Sequence, residues 1–205
     1  MTTESTPLTE KIVELDKKHH VHPYQLFDVF PEEGALPIHS GDGPYVTDTD
    51  GRRYLDAVGG LWCTNVGLGR EDMVEAIADQ VRKLSYSSPF VDLTHPPAAE
   101  LAAKLAELAP GDLNHVFFST GGSTANDIAY RLIQFYQNVR GKPEKRHVIS
   151  RKDSYHGQTY AAGSIGGKPS DRIDLLEFMD NIHHVSSPNF YRYGDELSEK
   201  EFADK

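Results

Sequence analysis

Apolar residues near the start of the chain fall into a helical rhythm. Leu8, Ile12 and Leu15 share one stripe, Thr6 is placed to cap it, Pro7 suits the first helical position, and Pro23 ends it. Between Phe27 and Gly43 prolines and glycines interrupt mixed polar sequence, which reads as an irregular arm wrapped over a neighbour. Tyr45-Val46-Thr47 and Arg53-Tyr54-Leu55 then flank Asp48-Thr49-Asp50-Gly51, a hairpin whose Asp-Gly supplies the turn. Met73, Ile77, Val81 and Leu84 predict a helix over residues 71–84. Thr94 is placed to cap another, with Pro96 and Pro97 in its first turn and Leu101, Leu105 and Leu108 on one face.

The middle of the chain carries the clearest pattern. His115 to Ser119 reads as a buried strand, Thr120-Gly121-Gly122-Ser123 as a glycine turn, and Ile128, Leu132, Phe135 and Val139 as a helix ending near Gly141 and Pro143. His147 to Ser150 is the next strand, with a further one at His184-Val185-Ser186. Strand, turn, helix, strand is a βαβ unit and predicts a parallel sheet in an α/β fold. Ser198 and Glu201 form a capping box, yet only Phe202 and Ala203 follow to begin the apolar stripe, so the chain reads as truncated.

Composition narrows the class. The 205 residues hold 21 Lys plus Arg against 31 Asp plus Glu, a formal charge of −10. With a pI near 5.4 and no basic block, a nucleic-acid or anionic-membrane surface is not expected. Cys63 stands alone, which excludes an internal disulfide framework and suits a reducing, cytoplasmic setting. The first residues lack the basic end and apolar run of a secretory signal, and no apolar run is long enough to span a bilayer.

The glycine turn at 120–123 is the strongest candidate for chemistry. Two glycines let backbone approach a ligand, free N–H groups open the following helix, and Ser123 adds a hydroxyl. Phosphate is the natural guest; an empty glycine-rich turn is the plain alternative. No G-x-G-x-x-G occurs, and Gly163 to Lys168 fails as a phosphate loop because Ala162 and Pro169 stand at the wrong places. Tyr155-His156-Gly157 follows a strand and so lies at the carboxyl edge of the sheet, where ligands collect. Its ring could stack on a heteroaromatic or simply pack. Trp62, in Gly59-Gly60-Leu61-Trp62-Cys63, is either a pocket wall or a core anchor. Cys63 lacks a base partner and reads as a small buried hydrophobe. His19, His20, His22, His183 and His184 match no metal spacing and read as surface or packing residues.

These segments together resemble the class III aminotransferases, the pyridoxal 5'-phosphate (PLP) enzymes that include omega-transaminases. The likeness is collinear through His19-His-Val-His-Pro23, Gly51-Arg-Arg-Tyr-Leu-Asp56, Gly60-Leu-Trp-Cys63 and Thr94-His-Pro-Pro97. It continues through Ala109-Pro-Gly-Asp-Leu-Asn-His115, Gly121-Gly-Ser-Thr-Ala-Asn-Asp127, Gly141-Lys-Pro-Glu-Lys145 and Tyr155-His156-Gly157. It covers about residues 10 to 165 and weakens beyond.

The resemblance implies part of the PLP-dependent transferase fold type I: residues 1–60 contribute to a small domain, and residues 61–205 begin the large PLP-binding domain. It further implies that Gly122 and Ser123 hold the cofactor phosphate with Gly121 beside them, and that Tyr155 stacks on its ring, with His156 and Gly157 in the same cofactor-binding set. Tyr24, Trp62 and Phe90 would wall a substrate pocket for an amine or amino acid donor and a keto acid acceptor, across a homodimer interface. Two departures stand out: Thr124 replaces a frequent Glu, and residues 166–182 lack the usual pattern. No lysine from Lys11 to Lys205 matches the Schiff-base position, which is expected downstream of Lys205, so this chain is expected to be catalytically silent alone. A non-catalytic PLP-binding or dimer-forming module complete at 205 residues is the alternative; a nucleotide-binding α/β protein is weaker.

Overall fold

The computed structural model describes residues 5–173 and 176–204. Asp174 and Leu175, inside the divergent segment 166–182, lie outside the described residues, as does Lys205. The chain divides into two units, Met1–Pro96 and Pro97–Lys205, and each is taken by itself. The expected boundary at 60/61 concerns which domain of a whole enzyme each segment joins, a different question from this division.

In the first unit α1 spans Pro7–His19, as the stripe and cap predict: the Thr9 N–H donates to Thr6 Oγ1 at 3.3 Å. Its end is set where His20 turns extended and its N–H donates to Asp16 O at 2.9 Å. A single turn, α2 (Phe30–Glu33), follows. β1 (Ile38–Asp42), β2 (Tyr45–Asp48) and β3 (Arg53–Leu55) make an antiparallel sheet in that order. The predicted hairpin is there, with Tyr45 opposite Leu55 and Thr47 opposite Arg53. The arm between Phe27 and Gly43 is not wholly irregular, because Ile38–Asp42 pairs with the free edge of β2. Ile-His-Ser-Gly-Asp has no period-2 apolar signal, so its strand state comes from the partner and not from its own pattern.

The hairpin turn is built around two carboxylates. Asp48, 3% exposed, accepts the Asp50 and Arg52 N–H groups at 2.9 and 2.8 Å and the Tyr54 hydroxyl at 2.8 Å. Asp50 Oδ1 accepts the Thr6 N–H at 2.9 Å and the hydroxyls of Thr6 and Thr9, which moors the start of α1 to the turn. After β3 comes α3 (Gly59–Trp62), a single turn whose φ angles are all positive: 59°, 58°, 58° and 67°. α4 (Glu71–Lys83) matches the predicted helix.

α5 (Pro96–Leu108) begins two residues after Thr94, which leaves His95 as the residue before it. Residues 113–119 form no strand. Phe117 is 71% exposed, and no ladder partner for this stretch is present among the described residues. A strand exists only through pairing, so the apolar pattern alone does not make one. The helix after it, α6 (Gly122–Val139), is present and starts at the glycines. β4 (Val148–Arg151) pairs in parallel with β5 (Ile182–Val185), Val148 opposite Ile182. The observed βαβ unit is therefore β4, α7 (Tyr160–Ile165) and β5, one step later than the pattern suggested. α8 (Phe190–Tyr193) and α9 (Glu199–Asp204) complete the chain; the capping box opens α9, with the Ser198 N–H 2.9 Å from Glu201 Oε2.

The buried apolar residues among those described are Ala162 on α7 and Ile182 on β5, so the core of the second unit sits where α7 covers the parallel pair. Asn181 ties this core outward, its Nδ2 donating to Tyr130 Oη at 2.8 Å and Arg146 O at 2.6 Å. Most apolar side chains are uncovered. The chain exposes 16808 Å². A compact protein of 22.9 kDa exposes about 9600 Å², and two separate ones of half that mass about 11600 Å². Ile149 of β4 is 74% exposed, although parallel strands are ordinarily covered on both faces. Among the described residues no helix is long and apolar enough to cross a membrane.

Burial pushes the Asp48 carboxyl up, but the bonds from Tyr54, Arg52 and Asp50 outweigh it and leave it below its ordinary value; Asp50 is lowered chiefly by Thr9. Groups lowered by folding add stability above the unfolded carboxyl pKa of about 3.9, and lose it as pH falls through the lower folded value. Amide exchange should therefore report loosening of the hairpin on acidification below about pH 4. At neutral pH Asp48→Ala should speed exchange at Asp50 and Arg52 by roughly fivefold or more, the worth of one ordinary hydrogen bond.

Candidate functional site

The N-terminus of α6 is an unspent set of donors. An α-helix leaves its first N–H groups without intrahelical acceptors. Here those of Gly122, Ser123 and Thr124 precede the first bond, which runs from Ala125 N to Gly121 O at 3.0 Å. Gly121, at φ 170° and ψ 174°, precedes the helix and offers no side-chain cap. The neighbouring hydroxyls turn to acceptors instead: Thr124 Oγ1 donates to Gly121 O at 2.8 Å and Ser119 Oγ to the same oxygen at 3.2 Å. That is the local pairing of Thr124, and it leaves the helix start clear. A Cβ added at Gly121 or Gly122 would meet nothing within 4 Å, so the space over these N–H groups is open. Eighteen residues of helix dipole end there, which favours an anion.

One face of the first turns of α6 holds the next loop. Ser123, Asn126 and Asp127 stand at i, i+3 and i+4, which puts them side by side. Ser123 Oγ accepts the Gln158 N–H at 3.1 Å, and Asn126 Nδ2 donates to His156 O at 2.6 Å. Asp127 Oδ1 accepts the Thr159 hydroxyl at 2.7 Å and the Ala162 N–H at 3.0 Å, the latter in the first turn of α7. Gly157 is buried against this face at φ 130°. A Cβ there would lie 2.3 Å from Ser123 Oγ and 2.7 Å from Ser123 Cα, so no other residue fits without moving the loop.

Tyr155 heads that loop, just past the carboxyl end of β4, where Ser154 Oγ donates to Arg151 O at 2.6 Å. It is 58% exposed in this chain. Tyr155, Gly157, Thr159 and Lys168 are among the residues around a cavity of about 140 Å³. Thus Gly121, Gly122, Ser123, Tyr155, His156 and Gly157 all lie in the second unit. Ser123, His156 and Gly157 are joined directly through the α6 face, and His156 takes part through its carbonyl oxygen.

Tyr24, Trp62 and Phe90 belong to the first unit and are 64%, 77% and 80% exposed. Trp62 is thus uncovered in this chain. It ends the left-handed turn of α3, which Asp56 braces by accepting the Val58 and Gly60 N–H groups at 3.2 and 2.6 Å. Cys63 is exposed, against the buried place expected of it. Following that turn at the surface, its thiol donates to Leu61 O at 3.5 Å. Asn126, Asp127 and Thr159 were missed by sequence reasoning. The polar stripe 123-126-127 on a helix whose other face carries Ile128 and Leu132 was the available signal.

The model of the family Aminotransferase class-III matches residues 30–204, reaching past the stretch where the sequence likeness weakens. A putrescine–pyruvate aminotransferase of Pseudomonas aeruginosa is 39% identical over 189 residues, which are 92% of this chain and 41% of that protein. Among solved structures, an (S)-enantioselective omega-transaminase from Thermomicrobium roseum superposes with TM-score 0.91 at 36% identity, covering 95% of this chain and 44% of that one. The omega-transaminase of Pseudomonas jessenii in complex with PMP gives TM-score 0.90 at 36% identity, over 97% and 43%. The chain spans about two fifths of the length of the curated relatives it matches. The fold expected, part of the PLP-dependent transferase fold type I, is the one these structures share.

Gly157→Ala is expected to free the Gln158 N–H from Ser123, read as at least roughly fivefold faster amide exchange at Gln158. Gly121→Ala, whose Cβ meets open space, should leave that exchange unchanged.

Proposed function

The chain belongs to the class III aminotransferases, and from that membership we propose that it is the first part of a PLP-dependent enzyme that moves an amino group from an amine or amino acid to a keto acid. The single observation that carries this reading is the open N-terminus of α6 beside the loop it grips. The residues present suit the cofactor. The N–H groups of Gly122 and Ser123 take the phosphate, with Gly121 leaving room for it. Ser123 Oγ spends one lone pair on Gln158 N, so its hydroxyl proton remains to donate to a phosphate oxygen. Tyr155 lays its exposed ring on the pyridine, and His156 and Gly157 set the height of that ring through the α6 face.

When bound, PLP supplies a carbonyl that takes up amino groups and a ring that draws electrons from them. The part played by this chain's residues is to bind and orient: phosphate at one end, ring at the other, water kept from the covered face. Tyr24, Trp62 and Phe90 are assigned to the substrate pocket and favour donors with an apolar arm. We place residues 1–60 in the small domain, 61–205 in the large one, the whole enzyme in the cytoplasm, and its active form as a homodimer.

The anchoring lysine is placed in the part of the family's length that this chain does not span, and the chain alone is read as inactive. Lys168, near the loop, lies 3.5 Å from Asp171 and is not given that role. A module complete at 205 residues is disfavoured by the open apolar surface at Phe117, Phe135 and Ile149, which calls for cover by further chain or by a second subunit.

Titration of the 205-residue chain with PLP should give reversible binding that inorganic phosphate competes away. Ser123→Ala should weaken it by about tenfold, the worth of a hydrogen bond to a charged group. Borohydride treatment followed by mass spectrometry should find no stoichiometric lysine adduct. An adduct at one lysine would overturn the placement of the anchor, and binding indifferent to phosphate and to Ser123→Ala would overturn the phosphate site.

A further inference from the structure

At the far end of α1, three side chains that bind metals converge. Asp16 stands on the last turn, His20, four residues on, is the extended residue that caps it, and His22 follows on the chain leaving it. His20 Nδ1 lies 2.9 Å from Asp16 Oδ1, and His22 Nε2 lies 2.9 Å from Asp16 Oδ2. One ligand atom from each of the three falls within 4.8 Å of the others. The two imidazole rings are 4.2 Å apart between centroids.

Backbone and ring contacts hold the arrangement in place. The His20 N–H closes α1 on Asp16 O at 2.9 Å, the His22 N–H donates to Gln25 Oε1 at 3.0 Å, and the His22 ring leans on Phe30 at 5.1 Å. Asp16 and His22 are mostly covered, at 18% and 29% side-chain exposure, while His20 is 64% exposed and faces solvent. His19, next in the chain, contributes nothing to the group.

We propose that Asp16, His20 and His22 form a binding site for a divalent transition-metal ion of the zinc, nickel or copper kind. Two imidazole nitrogens and one carboxylate suit such ions and not magnesium or calcium, which want oxygen alone. Ligand bonds of about 2.0–2.2 Å set neighbouring donor atoms roughly 3.0–3.4 Å apart, so the two 2.9 Å His–Asp pairs need a small opening, while the two imidazole nitrogens, within 4.8 Å of each other, draw together by a rotamer adjustment of the exposed His20. The ion takes the place of the two N–H···O contacts, and the imidazoles bind it as neutral ligands. Three protein ligands leave the remaining positions to water on the His20 side. Bound there, the ion pins the segment after the helix to the last turn of α1. The site stands apart from the phosphate turn and does not rest on the reading of that turn.

Calorimetry with Zn²⁺, and the visible spectrum with Co²⁺, test this on the full 205-residue chain at neutral pH without PLP. One saturating equivalent is expected, with Mg²⁺ unable to compete. His22→Gln and Asp16→Asn should each weaken Zn²⁺ binding by at least about tenfold, the lower bound set by losing even a supporting ligand contact. His19→Gln should change it by less than about twofold, as should His183→Gln, which removes the other close imidazole pair, His147 and His183 at 2.8 Å. Circular dichroism checks that each variant is folded. Should Asp16→Asn or His22→Gln fail there, the exposed His20→Gln replaces it with the same expected loss. Absence of a saturable equivalent, or equal loss in His19→Gln or His183→Gln and in the cluster variants, would overturn the site.

Discussion

Ser123, Asn126 and Asp127 occupy one side of the first turns of α6 and between them fix the backbone from His156 to Ala162. Helical geometry makes this possible, since only residues three and four apart share a face. The same turns carry the free N–H groups on their open end. A single rigid element therefore carries both the free N–H groups and the side chains that hold the loop from His156 onward, directly after Tyr155. Gly157 closes the arrangement by having no side chain: the loop approaches Ser123 so closely that even a methyl group would part them.

The first unit uses the same economy with different chemistry. Asp48 and Asp50, two residues apart in a hairpin turn, collect donors from the turn itself, from β3 and from the start of α1. Both units thus rely on polar clasps where apolar burial is scant. Ala162 and Ile182 are the buried apolar residues among those described, and the exposed area far exceeds that of a compact protein of this mass. The helices are formed and their stripes are right, but much of each stripe is uncovered.

Local signals were legible because they are complete within a few residues. Thr6 with Pro7, the Asp50-Gly51 turn and the Ser198–Glu201 box each contain both the group that needs satisfying and the group that satisfies it. What depended on a distant partner was not legible in the same way. Ile38–Asp42 became a strand with no pattern of its own because β2 offered an edge, while residues 115–119 had the pattern and found no edge among the described residues. The resemblance to class III aminotransferases named the loop residues, but the grip on them by Asn126 and Asp127 follows only once the helix start is fixed. The convergence of Asp16 with His20 and His22 was hidden because it joins a helical repeat to a residue beyond the helix end.

The left-handed turn at Gly59–Trp62 has a consequence for how this protein tolerates change. Gly59 and Gly60 adopt positive φ without penalty, but Leu61 and Trp62 each carry about 1–2 kcal/mol for it. Glycine at either place would relieve that cost and make the chain more stable. At Leu61 it would also loosen the turn that aims the indole, and at Trp62 it would delete the indole. In this turn a relaxed backbone and a fixed tryptophan exclude one another.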